Sequence, residues 1–309
     1  MENTVVIALG GNALGENYEE QQIAVANTAK VIVDLSEKGM RMVVTHGNGP
    51  QVGMIQTAMD ELAANHDKYT GAPLPSCVAM SQGYIGIDLQ NAIKYELKRR
   101  NLDTKVSTLL AQVEVDSNDE AFDHPRKPIG RFMTAAEAEE LERKGVPCVE
   151  DSGRGYRKVV ASPMPKRIRE LETVKTLLSA GHIVITCGGG GIPVIEKDGK
   201  LIGVSAVIDK DNASALLATN LQADYFIILT AVEKVAINFG KENQQWLSKM
   251  SVCDAEKYIE EGQFAPGSML PKVKAAVRFA ESGDNRRALI TLLEKASEGL
   301  QGKTGTIVY

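Results

Sequence analysis

Asp209-Lys210-Asp211 places a lysine between two carboxylates, directly after the apolar run 206–208 and before a helical stretch. A second lysine, Lys272, stands near the start of another helical stretch opened by Ala265-Pro266-Gly267-Ser268-Met269. Ammonium groups at strand ends and helix starts suit phosphoryl transfer, whose catalysis is almost entirely positioning and neutralisation of charge on the phosphoryl oxygens. Lys210 would then lie on the phosphoryl group, with an aspartate orienting it or joining a magnesium shell. An acidic N-cap followed by a solvated lysine fits the same three letters. Lys272 is equally open: a lysine in a first helical turn opposes the helix dipole, which suggests an intervening anion, yet an ordinary exposed lysine also fits. Ser268 is a candidate cap for that helix.

Three glycine-rich turns follow runs of apolar β-formers. Residues 5–9 lead into Gly10-Gly11-Asn12, residues 42–45 into His46-Gly47-Asn48-Gly49-Pro50, and residues 183–186 into the glycines 188–191. Such continuous apolar runs read as buried parallel strands, and open α/β sheets bind ligands beyond the carboxyl ends of their strands. Glycine there lets backbone N–H groups approach an anion. Asn12 and Asn48 also suit plain turns. His46 reads as a strand-end packing residue, because an already anionic acceptor needs no general base. Further cations occur at Arg126-Lys127-Pro128-Ile129-Gly130 and Arg154-Gly155-Tyr156-Arg157-Lys158, either as solvated loops or as parts of a closing lid.

The elements that position these residues alternate along the chain. Helical spacing covers 18–38, about 50–65, a stretch ending at 98–101, and the regions near 211–221, 253–261 and 269–282. Strands are expected at 106–113, 226–229, 289–292 and 305–308, with a hairpin over 194–204 turning at Asp198-Gly199. Residues 115–162, richer in charge, Pro and Gly, read as a small inserted subdomain or lid containing an amphipathic stretch at 135–144. The pattern predicts an α/β fold with a mainly parallel sheet and helices on both faces. A lobe boundary near 190–205 would leave 1–205 as acceptor lobe and 206–309 as nucleotide lobe.

Composition narrows the class. Of 309 residues, 43% are hydrophobic and 24% charged, with net charge −5, so neither disorder nor a general nucleic-acid binder is indicated. No apolar run approaches a membrane span, and the first residues show no basic leader, which points to the cytoplasm. Cys77, Cys148, Cys187 and Cys253 are too scattered for a zinc site and suit free thiols. Gly302-Lys303-Thr304 lacks the first glycine of a P-loop and reads as a turn before the last strand. Gly47, Gly49 and Gly53 miss the dinucleotide spacing, and hydrolase, zincin and protein-kinase signatures are absent.

Taken together, Ala8-Leu9-Gly10-Gly11-Asn12-Ala13, His46 through Gly53, Lys127 through Gly130, Gly153 through Val160, the 188–191 glycines, Val207 through Asp211 and Gly267-Ser268-Met269 resemble the carbamate kinases of the amino acid kinase family. The resemblance runs in order from residue 4 to the C-terminus. It implies a three-layer α/β/α fold, usually dimeric, and reversible phosphoryl transfer between MgATP and carbamate, used to form ATP in arginine or related catabolism. It further implies that Gly10, Gly11, Asn12, Gly47, Asn48 and Gly49 line the carbamate and phosphoryl site. Lys127, Lys210 and Lys272 would neutralise phosphates, organised by Asp209 and Asp211. Thr230, Ala231, Val232, Ala265, Pro266, Gly267, Ser268 and Met269 would surround the nucleotide, whose phosphates and water would carry the magnesium. Related acid kinases carry a lysine where this chain has Ala8, and Lys127 is the replacement that the resemblance offers. Glu233 departs from the aspartate expected in the nucleotide segment. The alternatives are another small-acid kinase of the family and a catalytically silent nucleotide-binding regulator.

Overall fold

The computed structural model describes residues 3–11, 14–15, 17–151 and 153–309. Val5, Ile7 and Leu9 of the first strand, Thr4–Leu9, point to one side and Val6 and Ala8 to the other, and all five are buried. A strand apolar on both faces must be covered on both, so helices flank the sheet and three layers result. Helices Tyr18–Ser36 and Leu74–Arg99 cover the Ile7 face, while Lys210–Asn220 and Met269–Glu281 cover the Val6 face.

The sheet runs Lys249–Met250, Thr306–Val308, Arg287–Leu292, Tyr225–Thr230, Thr4–Leu9, Arg41–His46, His182–Ile185, Lys105–Thr108. Every neighbouring pair is parallel except Thr306–Val308 with Arg287–Leu292. It joins strands from both ends of the chain, with Ala8 opposite Ile228 on one side and Thr45 on the other. Most expected helices and strands form within a residue or two of the bounds read from the sequence, and the hairpin Ile192–Lys197 to Lys200–Gly203 turns at Asp198 and Gly199, both at positive φ.

One expected strand is two. The run 106–113 divides into Lys105–Thr108, the edge of the large sheet, and Gln112–Val115, in a separate four-stranded sheet with Ile192–Lys197, Lys200–Gly203 and Pro165–Ile168. Gln82 makes the break, accepting from Ala111 N at 2.9 Å and donating to Ala111 O at 3.2 Å. An apolar run records burial but not a change of partner strand.

Within 115–162, Lys127–Met133, Tyr156–Val160 and Cys148–Glu150 form a three-stranded antiparallel sheet, accompanied by helix Ala135–Arg143 with a Thr134–Glu137 capping box. This flap rests on helix Gly49–Asn65 at a point where two backbones meet. A Cβ on Gly53 would lie 2.1 Å from Gly130 Cα, so the approach needs glycine at 53, whereas Gly130 is favoured by its φ of +74°. Lys158 Nζ to Gln56 Oε1, at 3.1 Å, adds a polar tether.

Candidate active site

The turns after Thr4–Leu9, Arg41–His46 and His182–Ile185 open into a cavity of about 860 Å³. Gly11, Gly47, Asn48, Gly49 and Gly189 form its floor, and Lys127 through Phe132, Arg154 and Arg157 of the flap form its roof. Three helices, Gly49–Asn65, Lys210–Asn220 and Met269–Glu281, begin at its wall. Their positive ends converge on a volume suited to anions.

Asp209 is the N-cap of the Lys210–Asn220 helix, its Oδ1 accepting from Asp211 N at 2.9 Å and Asn212 N at 3.4 Å. Its other oxygen, Oδ2, accepts from Lys127 Nζ at 2.5 Å. The capping role is therefore real, but the lysine beside it is not solvated. Lys210 Nζ donates to Asp211 Oδ1 at 2.6 Å, and Lys272 Nζ to Asp211 Oδ2 at 2.9 Å. The side chains of Asp211, Lys210 and Lys272 are only 4%, 13% and 14% exposed. The anion that relieves Lys272 at its helix start is thus Asp211. Ser268 occupies the N-cap position of that helix but makes no side-chain cap bond, contrary to the sequence expectation; its φ of −136° and ψ of −69° depart from the extended geometry of a capping residue.

Burial pushes the Asp211 carboxyl up, but two ammonium groups outweigh it and hold it well below the ordinary carboxylate range. Burial likewise opposes ionisation of Asp209, and the Lys127 ammonium overcomes it. For Lys210 burial prevails and lowers the ammonium, with Asp211 opposing only in part, whereas Asp211 holds Lys272 above its usual value despite burial. Three lysines face two aspartates, so the cluster keeps one net positive charge for a ligand.

His46 is buried and Gly47 O lies 2.7 Å from its Nδ1; burial brings its pKa down to about 4, with that carbonyl opposing, so the ring is neutral at pH 7. Gly10 packs against Leu229 and Thr230 of the neighbouring strand and is not in the cavity wall. Asn12 lies outside the described residues. Of the segments expected around a nucleotide, Gly267 and Ser268 line the cavity, whereas Thr230, Ala231, Val232, Ala265, Pro266 and Met269 do not. Glu233 accepts from Thr304 Oγ1, which ties that segment to the turn before Thr306–Val308.

The sequence marks Arg154 and Arg157 only as basic residues of a solvated loop or closing lid, whereas both line the cavity. Both guanidinium groups lie over the Phe132 ring, at 4.6 and 5.2 Å from its centre, and Arg157 also donates to Gly130 O at 3.0 Å and Asp151 Oδ2 at 3.2 Å. Their Arg-x-x-Arg spacing was the available signal. Gly189 was visible only as one of four glycines.

The amino acid kinase family model matches residues 3–291. Carbamate kinase-like protein YqeA of Escherichia coli (strain K12) is 59% identical over 308 residues, covering 100% of this chain and 99% of that one. The carbamate kinase of Staphylococcus haemolyticus (strain JCSC1435) is 52% identical over 305 residues and 98% of each chain. The structure of carbamate kinase from Giardia lamblia bound to AMP-PNP has a TM-score of 0.90 to this one at 39% identity, covering 99% of this chain and 98% of that chain.

Proposed function

Because this chain belongs to the amino acid kinase family, with carbamate kinases among its full-length relatives, we propose that it transfers a phosphoryl group reversibly between ATP and carbamate. Phosphorylation of carbamate gives ADP and carbamoyl phosphate, and the chain works in the reverse direction, toward ATP synthesis, in arginine or related catabolism. The observation that carries the reading is the lysine cluster held by two aspartates where three helix N-termini meet. Carbamate is already anionic, so its oxygen attacks the terminal phosphoryl group without a base, in keeping with a neutral, buried His46. Lys210 and Lys272 compensate the charge spread over the phosphoryl oxygens, and Asp211 holds both in place. Lys127 supplies from the flap the charge that Ala8 lacks, and Gly11, Gly47, Asn48 and Gly49 hold the acceptor.

Magnesium enters with the nucleotide. Among the described residues no group of three His, Cys, Asp or Glu forms a metal cage, and the two carboxylates of the wall are both engaged by lysines. That donor set fits an ion held by phosphates and water, where it neutralises nucleotide charge. In the same reading, residues 115–162 act as a lid between an acceptor lobe, 1–205, and a nucleotide lobe, 206–309. Thr230 through Val232 and Ala265 through Met269 approach the nucleotide as it binds. The enzyme is a cytoplasmic homodimer; Met80, Ile87 and Tyr95, exposed along helix Leu74–Arg99, support self-association.

The test is luciferase-detected ATP formation from ADP, magnesium and carbamoyl phosphate. Lys210→Ala should lower turnover roughly 10²–10³-fold, the scale of losing one charge-stabilising donor. No ATP from the folded wild type would refute the reaction, and near-wild-type turnover in a folded Lys210→Ala would refute the role of the lysine.

A further inference from the structure

Asn48 holds the N-cap position of helix Gly49–Asn65, yet its side chain makes no cap bond. Asparagine is favoured at N-caps because its oxygen accepts from the first helical turn, so a stabilising contact is forgone here. Asn48 Nδ2 instead donates to Ser81 Oγ at 2.9 Å, and Ser81 Oγ donates to Val78 O at 2.7 Å. A hydroxyl has one hydrogen to give. With that hydrogen on the Val78 carbonyl, Ser81 can only accept from Asn48, which turns the amide nitrogen toward Ser81 and Oδ1 away from it. Both residues are buried.

Gly189, at φ +63°, packs closely against the amide, nearest its nitrogen. A Cβ there would lie 2.1 Å from Asn48 Nδ2 and 2.8 Å from Oδ1, so only glycine allows this approach. Asn48 and Gly189 both line the cavity, and among the described residues the bond to Ser81 is the only hydrogen bond of the Asn48 side chain. An oriented acceptor, withdrawn from capping and held at the cavity floor, suits a ligand that brings its own N–H donor.

We propose that Ser81 is a positioning residue for substrate choice. It locks Asn48 so that Oδ1 accepts an N–H of the amino group of carbamate or carbamoyl phosphate, an inference that rests on the phosphotransfer reading above. Acetyl phosphate has a methyl group where carbamoyl phosphate has NH2, with similar shape and no donor. A site built to bond an N–H disfavours the analogue lacking it, provided the acceptor is held in orientation. Without the Ser81 hydroxyl the amide can turn and set its own NH2 against that of the substrate.

The experiment measures kcat/KM for carbamoyl phosphate and for acetyl phosphate, with ADP and magnesium, in wild type and Ser81→Ala. The variant should lower the carbamoyl-to-acetyl ratio about tenfold, the scale of one lost hydrogen bond, with acetyl phosphate use changed by less than about twofold. A purely structural Ser81 would move both substrates together, and that result in a folded variant overturns the proposal. Ser81→Cys, nearly the same shape with a weak acceptor, should lower the same ratio and serves if Ser81→Ala does not fold. Wild type inactive with carbamoyl phosphate would refute the reaction itself and this inference with it; an active wild type whose ratio survives both substitutions refutes this inference alone.

Discussion

Asp211→Asn tests the cluster by removing one charge while keeping the shape. Asp211 accepts from two ammonium groups, at 2.6 and 2.9 Å, with its side chain 4% exposed. At an effective dielectric constant near 20, each contact is worth about 6 kcal/mol of gross attraction, much of it offset by desolvation of the ions. What the substitution exposes is the uncompensated remainder. Two buried ammonium groups are left facing a neutral amide that can accept from one and must turn its NH2 toward the other. Removing one partner of a buried pair typically costs about 3–5 kcal/mol. No cavity term adds to this, because Asn and Asp have nearly equal volume. Urea unfolding at pH 7, followed by circular dichroism, measures the loss. The sign with pH is a second reading: the folded Asp211 carboxyl titrates below its unfolded value near 3.8, so its contribution is complete above that value and lost only as pH falls through the folded pKa. The difference between wild type and variant should therefore be largest at about pH 5, narrow below about 4 as Asp211 is protonated, and narrow again toward high pH as the unpaired Lys210, already lowered by burial, gives up its proton in the variant. A loss under about 1 kcal/mol at about pH 5 would show that Asp211 does not carry the charge balance.

Two further outcomes follow from the packing. Gly53→Ala places a methyl group against the Gly130 backbone and should lift the flap, raising KM for carbamoyl phosphate severalfold; unchanged steady-state kinetics would show that the close approach does not seat the flap. His46, with a folded pKa of about 4 against 6.5 unfolded, remains neutral while the unfolded chain takes up a proton, so stability should fall between pH 6.5 and 4 by up to about 3 kcal/mol. His46→Gln should flatten that part of the thermal-stability profile, and an unaltered slope would assign it to other groups.

Much of the architecture was legible because it is local. Apolar runs such as 5–9 and 226–229 can be buried only as interior strands, and the glycine turns after them mark the ligand side of such a sheet. The segment 106–113 was misread because periodicity records burial, and its division depends on Gln82, 29 residues from Ala111. The four-stranded sheet went unseen for a related reason: Gln112 pairs with Ile192, and no local signal specifies a partner at that distance.

At the site, the letters Asp209-Lys210-Asp211 admitted both a helix cap and a charge cluster, and the molecule uses both, with separate oxygens of Asp209 serving each. The sequence alone determined which residue types were available: three lysines, two aspartates and the glycine turns, in an order characteristic of one family. Tertiary structure alone decided their pairing, bringing Lys127 to Asp209 across 82 residues and Lys272 to Asp211 across 61, and setting Gly189 against Asn48. The division is physical. Patterning within an element reflects interactions a few residues apart, whereas charge compensation in a buried site depends on the order in which the sheet assembles its strands.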